Sequence, residues 1–333
     1  MEPTICISLI FPFFNIAAVL LFPLIILLSI IGIILRLIAI FLNNKFLRFH
    51  SLTTPKKLPI DNSFTILTWN ICGISAGYSI TDGGVIPWAY RIDSIIETIL
   101  KQDADVVCLL ETFDIHLAFY IIKKLKLTYH DFYFNIGPQV LGPCSGIFVA
   151  SKFKINGANF TAFPKRLLVG RTKFCGKGVF SFHLDDFAVV YPVHLQHSEI
   201  PSEPTDEEIT ARNNQMNLFV EHISNTKNES VVVVGDFNLD DKEYGESKWG
   251  DNFVESKYDT DMKTWGGDAY CAALLNKKIS EPSNLDHALI RKGGSSTIIT
   301  TIIDNCYNPE KLDMFALSDH AGLKSMVKIG ALE

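Results

Sequence analysis

Residues 231–240 read VVVVGDFNLD. Four consecutive valines predict a strand buried on both faces, at the centre of a sheet rather than its edge. Yet the run passes straight into Gly235, Asp236, Asn238, Asp240 and Asp241. One polar residue after a strand is an ordinary loop start. The same event recurs along this chain, however. FTILTWN ends in Asn70, DVVCLLE in Glu111, and FAVVYPVHLQ in His194 and Gln196. SNLDHALI carries Asp286 and His287, and MFALSDH ends in Asp319 and His320. Six apolar segments thus each present a metal-capable or proton-handling group at a strand end. Strand ends on one sheet edge converge in space, so these groups could line one cleft, and rigid strands would hold its geometry.

Beyond position 63 the pattern is many strands with few helices. Apolar, β-rich runs fall at 64–70, 105–111, 145–150, 178–184, 187–194, 231–235, 284–290, 297–303 and 324–328. Helical periodicity falls near 87–102, 113–126 and 205–224. Thr205 and Glu208 form a candidate capping box, after which Ile209, Arg212, Met216, Phe219 and Ile223 share a face. This predicts an α+β domain with sheet packed on sheet. The stretch 240–283, rich in Gly, Asp, Lys and Trp, reads as long surface loops.

The chain has 333 residues, 48% of them hydrophobic, enough for a large core. Its net charge of −6, with no basic block, argues against a nucleic-acid partner. The seven cysteines are odd in number and include no CxxC, so neither a thiolate zinc site nor a disulfide framework is expected. They include Cys6 and Cys306; two sequons begin at Asn159 and Asn228.

Residues 5–42 are almost unbroken apolar sequence, too long for a signal-peptide core and without its basic start. One tilted span, or a hairpin split near Pro23, both fit a bilayer. Lys45, Arg48, Lys56 and Lys57 follow with no intervening acid, which puts the remainder on the cytoplasmic side. The expected organisation is a membrane anchor over 1–43, a basic linker over 44–63 and a catalytic domain over 64–333.

The ordered motifs TWN, LLE, SGI (145–147), VHLQ, GDFN, LDH and SDH resemble those of the endonuclease/exonuclease/phosphatase superfamily, the pancreatic-deoxyribonuclease-like metal-dependent phosphohydrolases. The resemblance covers roughly residues 64–329. It implies a four-layer α/β/β/α sandwich with two packed central β-sheets. Within the superfamily, His194-Leu195-Gln196 followed by Arg212 and Gln215, with Gly176-Lys177-Gly178, is most similar to the neutral sphingomyelinases.

That resemblance implies Mg²⁺ (one or two ions, Mn²⁺ as substitute) on Glu111, assisted by Asn70, with Asp319 at a second ion or orienting the site. It implies His320, held by Asp286, as the base, with Asp236 as the alternative. Asn238 and His194 would bind phosphate, His194 also protonating the leaving alkoxide, and Lys177 and Arg212 would contact substrate. His197 and His287 read as structural or exposed; Tyr78, Trp88 and Trp265 could touch lipid. The expected function is hydrolysis of a sphingomyelin-like phospholipid at a bilayer, giving ceramide and phosphocholine. A nuclease or a phosphoinositide or nucleotide phosphatase of the same fold is the alternative. An inactive tethered adaptor is the alternative of another class, and it predicts loss of core polar positions that are all present here.

Overall fold

The computed structural model describes residues 3–42, 45–74, 84–200, 203–226, 230–247, 249–256, 258, 262–266, 269–276, 281–303 and 315–330. Tyr78, Asn228, Cys306 and the side chain of Cys6 lie outside them. The chain divides into two units, Met1–Asn44 and Lys45–Glu333.

In the first unit the apolar run forms one helix, α1 (Pro3–Phe41). It continues through Pro12 and Pro23, so the hairpin is not formed. Each proline removes one i→i−4 bond, a local loss that the rest of the ladder absorbs. Its window Val19–Phe41 is apolar enough to cross a membrane, and 23 residues at 1.5 Å each span about 35 Å. Large apolar side chains along that window, among them Leu20, Phe22, Leu24 and Leu35, are exposed.

The second unit is built on two sheets. The first contains β1 (Leu47–His50), β2 (Ser63–Asn70), β3 (Val106–Leu110), β4 (Asp131–Phe134) and β5 (Phe148–Ser151). The second contains β6 (Ile155–Ala162), β7 (Gly178–Leu184), β8 (Ala188–His194), β9 (Ser230–Asp236), β10 (Phe253–Glu255) and β11 (Asp286–Arg291). The last strands, β12 (Thr297–Ile303) and β13 (Gly322–Lys328), return to the first sheet. The strand orders are β1-β4-β5-β3-β2-β13-β12 and β10-β11-β9-β8-β7-β6. The helices are α2 (Ile92–Gln102), α3 (Ile115–Leu125), α4 (Asp206–Ser224) and the short α5 (Asp241–Glu246), α6 (Trp249–Asn252) and α7 (Ala269–Leu275).

The alternation of strand side chains produces the layers. On β9, Val232 and Val234 join Ile66, Cys108 and Val149 of the first sheet in the core between the sheets. Val231 and Val233 face the other way, against Met216, Phe219 and Ile223 of α4. On the first sheet, Leu67, Trp69, Val107 and Leu109 point outward to Ile95, Ile99, Leu117 and Ile121 of α2 and α3. The result is helices, sheet, sheet, helix, the expected four-layer α/β/β/α sandwich. Each valine of the quoted run is buried, which explains its lack of alternation.

The differences from expectation are local. Four strands were not anticipated: β1, β4 and β10 are short, and β6 carries too little apolar pattern to stand out. β6 is an edge strand with an exposed outer face. The 44–63 segment, expected as a linker, is largely folded into the second unit. β1 pairs with β4, Phe46 packs on Tyr133 and Phe180, and Lys56 binds Asp105 at 2.6 Å. The 240–283 stretch is not all surface loop either. It contains α5 to α7 and β10, and it buries Trp249, Cys271 and Leu274.

Candidate active site

Two parallel strand pairs aim their C-terminal ends at the same place. In the first sheet β2 and β3 run parallel, with Asn70 opposite Leu110, so Glu111 emerges beside Asn70. In the second, β8 and β9 run parallel with His194 opposite Asp236, and antiparallel β11 sets Asp286 on the other side of Asp236. Backbone register alone therefore lines up His194, Asp236 and Asp286. The Asn70 side chain joins the sheets, donating from Nδ2 to Asp236 Oδ2 (3.1 Å) and Glu111 Oε1 (3.3 Å).

Gly235 is what allows β9 to turn its carboxylate in. Its φ is +144°, and a Cβ there would sit 2.1 Å from the Val193 carbonyl oxygen. The next residues form a tight turn, in which Asn238 N–H donates to Asp236 Oδ1 (2.8 Å). Asp240 caps α5, accepting from Glu243 N–H (2.7 Å). The two acids of the quoted stretch thus have different roles, one in the pocket and one as a helix cap.

The C-terminal Ser-Asp-His segment is fastened from both sides. Ser318 Oγ donates to the Asn70 carbonyl (2.5 Å), and Trp69 Nε1 donates to the His320 carbonyl (2.8 Å). Thr264 Oγ1 accepts from the Leu285 and Asp286 N–H groups (2.9 and 3.1 Å), while its carbonyl accepts from Ala321 N–H. His320 Nδ1 then donates to Asp286 Oδ2 at 2.8 Å, leaving Nε2 3.8 Å from Asp236 Oδ2.

These residues open into a cavity of about 410 Å³. Glu111, Lys177, His194, Asp236, Asn238, Asp319 and His320 line it, as do apolar Ile74, Val85, Phe113, Trp265, Leu275 and Leu285. Asn70 and Asp286 stand just behind the lining, each in contact with a lining residue. His194 Nε2 is 3.9 Å from Glu111 Oε1 and 4.0 Å from Asp236 Oδ2.

The electrostatics record an excess of buried negative charge. Burial, then the Asp319 carboxylate, pushes Glu111 up to about 7. Burial likewise raises Asp286 to about 6, against the pull of His320. For His320 burial acts downward, but Asp286, Asp236 and Asp319 outweigh it and hold the imidazole up at about 10. His194 is driven well below the ordinary histidine range by burial and by Lys177, so it is neutral. Lys177 is itself lowered by burial. A buried carboxylate set in excess of its cations, rich in hard oxygen donors, fits a divalent ion such as Mg²⁺. The Asp236, Asp286 and His320 ligand atoms also lie within 4.8 Å of one another.

Two of the expected site residues are held by partners that the sequence did not show. Arg212 is fully buried and does not line the cavity. Its guanidinium donates to both Glu243 oxygens (2.8 and 2.7 Å), the Gln196 carbonyl (3.2 Å) and Ser198 Oγ (2.8 Å). In this arrangement it braces the segment after His194. Asn70 Oδ1 accepts from Cys72 N–H (3.1 Å), so its NH₂ and not its oxygen faces the carboxylates. In this arrangement Asn70 holds Glu111 and Asp236 through its amide NH₂.

Lys177 reaches the cavity between Gly176 and Gly178, where Cβ atoms would strike Gly137 and Thr161 carbonyls, and it donates to the Leu195 carbonyl. His197, read as structural or exposed, lines the cavity and is lowered by burial to about 4. His287 is structural, bound to Glu255 (2.6 Å) and stacked on Tyr244. Trp265 lines the cavity and donates to Asp319 Oδ2 (3.3 Å), whereas Trp88 donates to Asp114 (3.2 Å) away from the cavity lining. Cys72, Phe113, Thr172 and Glu199 were not anticipated. Cys72 and Phe113 had one available signal, their place two residues after Asn70 and Glu111.

A model of the Endonuclease/Exonuclease/phosphatase family matches residues 67–320. No curated protein sequence matches the chain. Among solved structures, a beta toxin variant from Staphylococcus aureus with bound magnesium ions superposes with TM-score 0.65 at 18% identity, covering 79% of this chain and 99% of that one. Sphingomyelinase C from Streptomyces griseocarneus gives 0.59 at 18% identity (79% and 99% covered). Truncated TDP2 from Caenorhabditis elegans gives 0.57 at 18% identity (80% and 98% covered). At such identities the likeness speaks for the fold; the family match spans most of the chain, and on it the protein belongs to the Endonuclease/Exonuclease/phosphatase family as a hydrolase of phosphoric diesters.

Proposed function

We propose that the protein is a membrane-anchored, Mg²⁺-dependent phospholipid phosphodiesterase of sphingomyelinase type, releasing ceramide and phosphocholine from a sphingomyelin-like lipid. The observation that carries this reading is the composition of the cavity. Its carboxylate–imidazole cluster adjoins an apolar wall of Ile74, Val85, Phe113, Trp265, Leu275 and Leu285, which suits a lipid ester better than a polyanionic strand. The bilayer-length helix supports it, because tethering raises the effective concentration of a membrane substrate. The cytoplasmic side is favoured by the basic flank of that helix.

Glu111 and Asp319 would hold the cation, with Asn70 keeping Glu111 in place. Bound there, Mg²⁺ supplies Lewis-acid polarisation of a phosphoryl oxygen and offsets the carboxylate charge that otherwise keeps His320 protonated. Asp286 fixes the His320 ring through Nδ1, so that Nε2 takes the proton of the attacking water. Asp236 lies beside that nitrogen and orients the water. His194, neutral through burial, suits hydrogen bonding to the phosphoryl group more than protonating the leaving oxygen. Asn238 and Lys177 complete the phosphate cradle.

The test is a substrate panel with purified full-length protein: sphingomyelin, lysophospholipids, phosphoinositides and plasmid DNA, each with Mg²⁺ and with EDTA. The expected result is EDTA-sensitive release of phosphocholine from sphingomyelin. Faster turnover of DNA or of a phosphoinositide would replace the lipid reading with another activity of the family.

A further inference from the structure

A second cluster of ligand atoms lies outside the catalytic cavity. β1 is the edge strand of the first sheet and begins six residues after Phe41, the last residue of helix α1. Its last residue, His50, is the register partner of Asp131, the first residue of β4, and His130 immediately precedes Asp131. One ligand atom from each of His50, His130 and Asp131 lies within 4.8 Å of the others.

His130 and Asp131 are already oriented as metal ligands would be. His130 Nδ1 donates to the Thr53 carbonyl (2.7 Å), which fixes the tautomer and leaves a lone pair on Nε2. That lone pair faces Asp131 Oδ1 at 3.6 Å. Two electron-rich atoms facing each other are repulsive unless a proton or a cation lies between them. Asp131 is fully buried, and its Oδ2 is satisfied by the Ile155 N–H (2.5 Å), so Oδ1 is the oxygen turned to both histidines. His50 Nδ1 donates to the same Oδ1, a proton whose place the metal would take, and about half of its side chain (48%) is exposed, which leaves room for water.

We propose that His50, His130 and Asp131 form a zinc site, distinct from the Mg²⁺-type catalytic centre, that staples β1 to β4. Two imidazoles and one carboxylate suit Zn²⁺ over Mg²⁺, and a solvent water completes a tetrahedron. The occupied site replaces the lone-pair repulsion and the His50–Asp131 hydrogen bond with three metal–ligand bonds, and it ties down an edge strand. It contributes nothing to phosphate chemistry, so it stands independently of the substrate reading above.

The experiment uses full-length protein in detergent, stripped with EDTA and dialysed against excess Mg²⁺ so that the oxygen-rich catalytic site is filled. Zn²⁺ is then added and the retained metal measured. Co²⁺ is the spectroscopic probe. Wild type and Glu111→Ala should each retain about one Zn²⁺ per chain, show tetrahedral Co²⁺ absorption and melt at higher temperature with Zn²⁺. His50→Ala/His130→Ala should lose all three effects while keeping its Mg²⁺-dependent hydrolysis rate. His50→Gln, at a half-exposed position, covers the case in which the double variant does not fold, and should weaken Zn²⁺ retention at least tenfold. No Zn²⁺ retained by wild type would mean that a proton, not a metal, bridges the cluster. Undiminished retention in both histidine variants would also overturn the site.

Discussion

Glu111 is the residue on which chemistry and strain meet. Its φ is 61°, in the left-handed region, where a glutamate costs roughly 1–2 kcal/mol relative to ordinary backbone. Gly73 and Gly146 make space for that backbone, since Cβ atoms there would come within 2.5 Å of the Glu111 carbonyl oxygen and 3.1 Å of its Cα. Its carboxyl is partly buried beside other acids as well, so the position is held against both conformational and electrostatic preference. Glu111→Gly should therefore raise the melting temperature, by about 2–4 °C, while abolishing Mg²⁺-dependent hydrolysis. A calorimetric scan paired with a phosphocholine-release assay checks both halves. Glu111→Ala should be equally inactive with its fold retained. At His320 the expectation is a loss of about 10²–10⁴-fold in kcat for His320→Ala, the range of a positioned proton-transfer group. Asp286→Asn should fall in the same direction, because it releases the ring that Asp286 now holds at 2.8 Å. Robust turnover by His320→Ala would move the base role to Asp236.

Among the elements, β9 and α4 matter most to the site. β9 carries Asp236 at the end of four buried valines, each contributing about 1.5–3 kcal/mol of burial. α4 reaches the same region through Arg212, which links the helix to Glu243 of α5 and to Gln196 and Ser198 beyond β8. A substrate-contact role predicts a raised KM in Arg212→Ala with the fold intact. The bracing role predicts something else: a stability loss of about 3–5 kcal/mol, because Glu243 loses its partner within a buried pair. A double variant, Arg212→Met with Glu243→Leu, should recover much of that loss. Urea unfolding of the single and double variants, with KM measured in parallel, separates the two roles. The sequence placed Arg212 on the apolar face of α4 without showing its partner, since Glu243 lies in a stretch that reads as loop. β1 was hidden for a related reason: its strand pairing comes from β4, more than eighty residues away.

For the molecule as a whole, the division into an apolar helix and a folded hydrolase unit leads to a deletion test. Removing residues 1–44 should release the protein from membranes in a flotation assay. Mg²⁺-dependent hydrolysis of micellar lipid should remain, because every cavity residue lies in the second unit. On bilayer vesicles the same deletion should lower the rate by more than it does on micelles, the excess measuring what tethering supplies. A truncated protein that still floats with membranes would count against the anchor. Equal rates on both substrates would count against a membrane-confined lipid.

Periodicity and strand-end chemistry were legible along the chain because they are local properties. Doubly buried valines, the capping box of α4, the apolar helix and the polar residues after each strand are all dictated within a few positions. Sheet packed on sheet followed from the number of those strands, and the four layers from the resemblance of the ordered motifs. Which polar groups share a cavity was decided by pairings distant in the chain: His194 beside Asp236, Asp286 across from it, and Asn70 bridging two sheets. The same long-range packing turned Arg212 into a brace, sent one oxygen of Asn70 to a backbone N–H, and gathered His50 against His130 and Asp131. The physical reason is that local preference acts through the covalent neighbours of a residue. Charge, burial and ligand geometry depend instead on whatever the fold brings within a few ångströms.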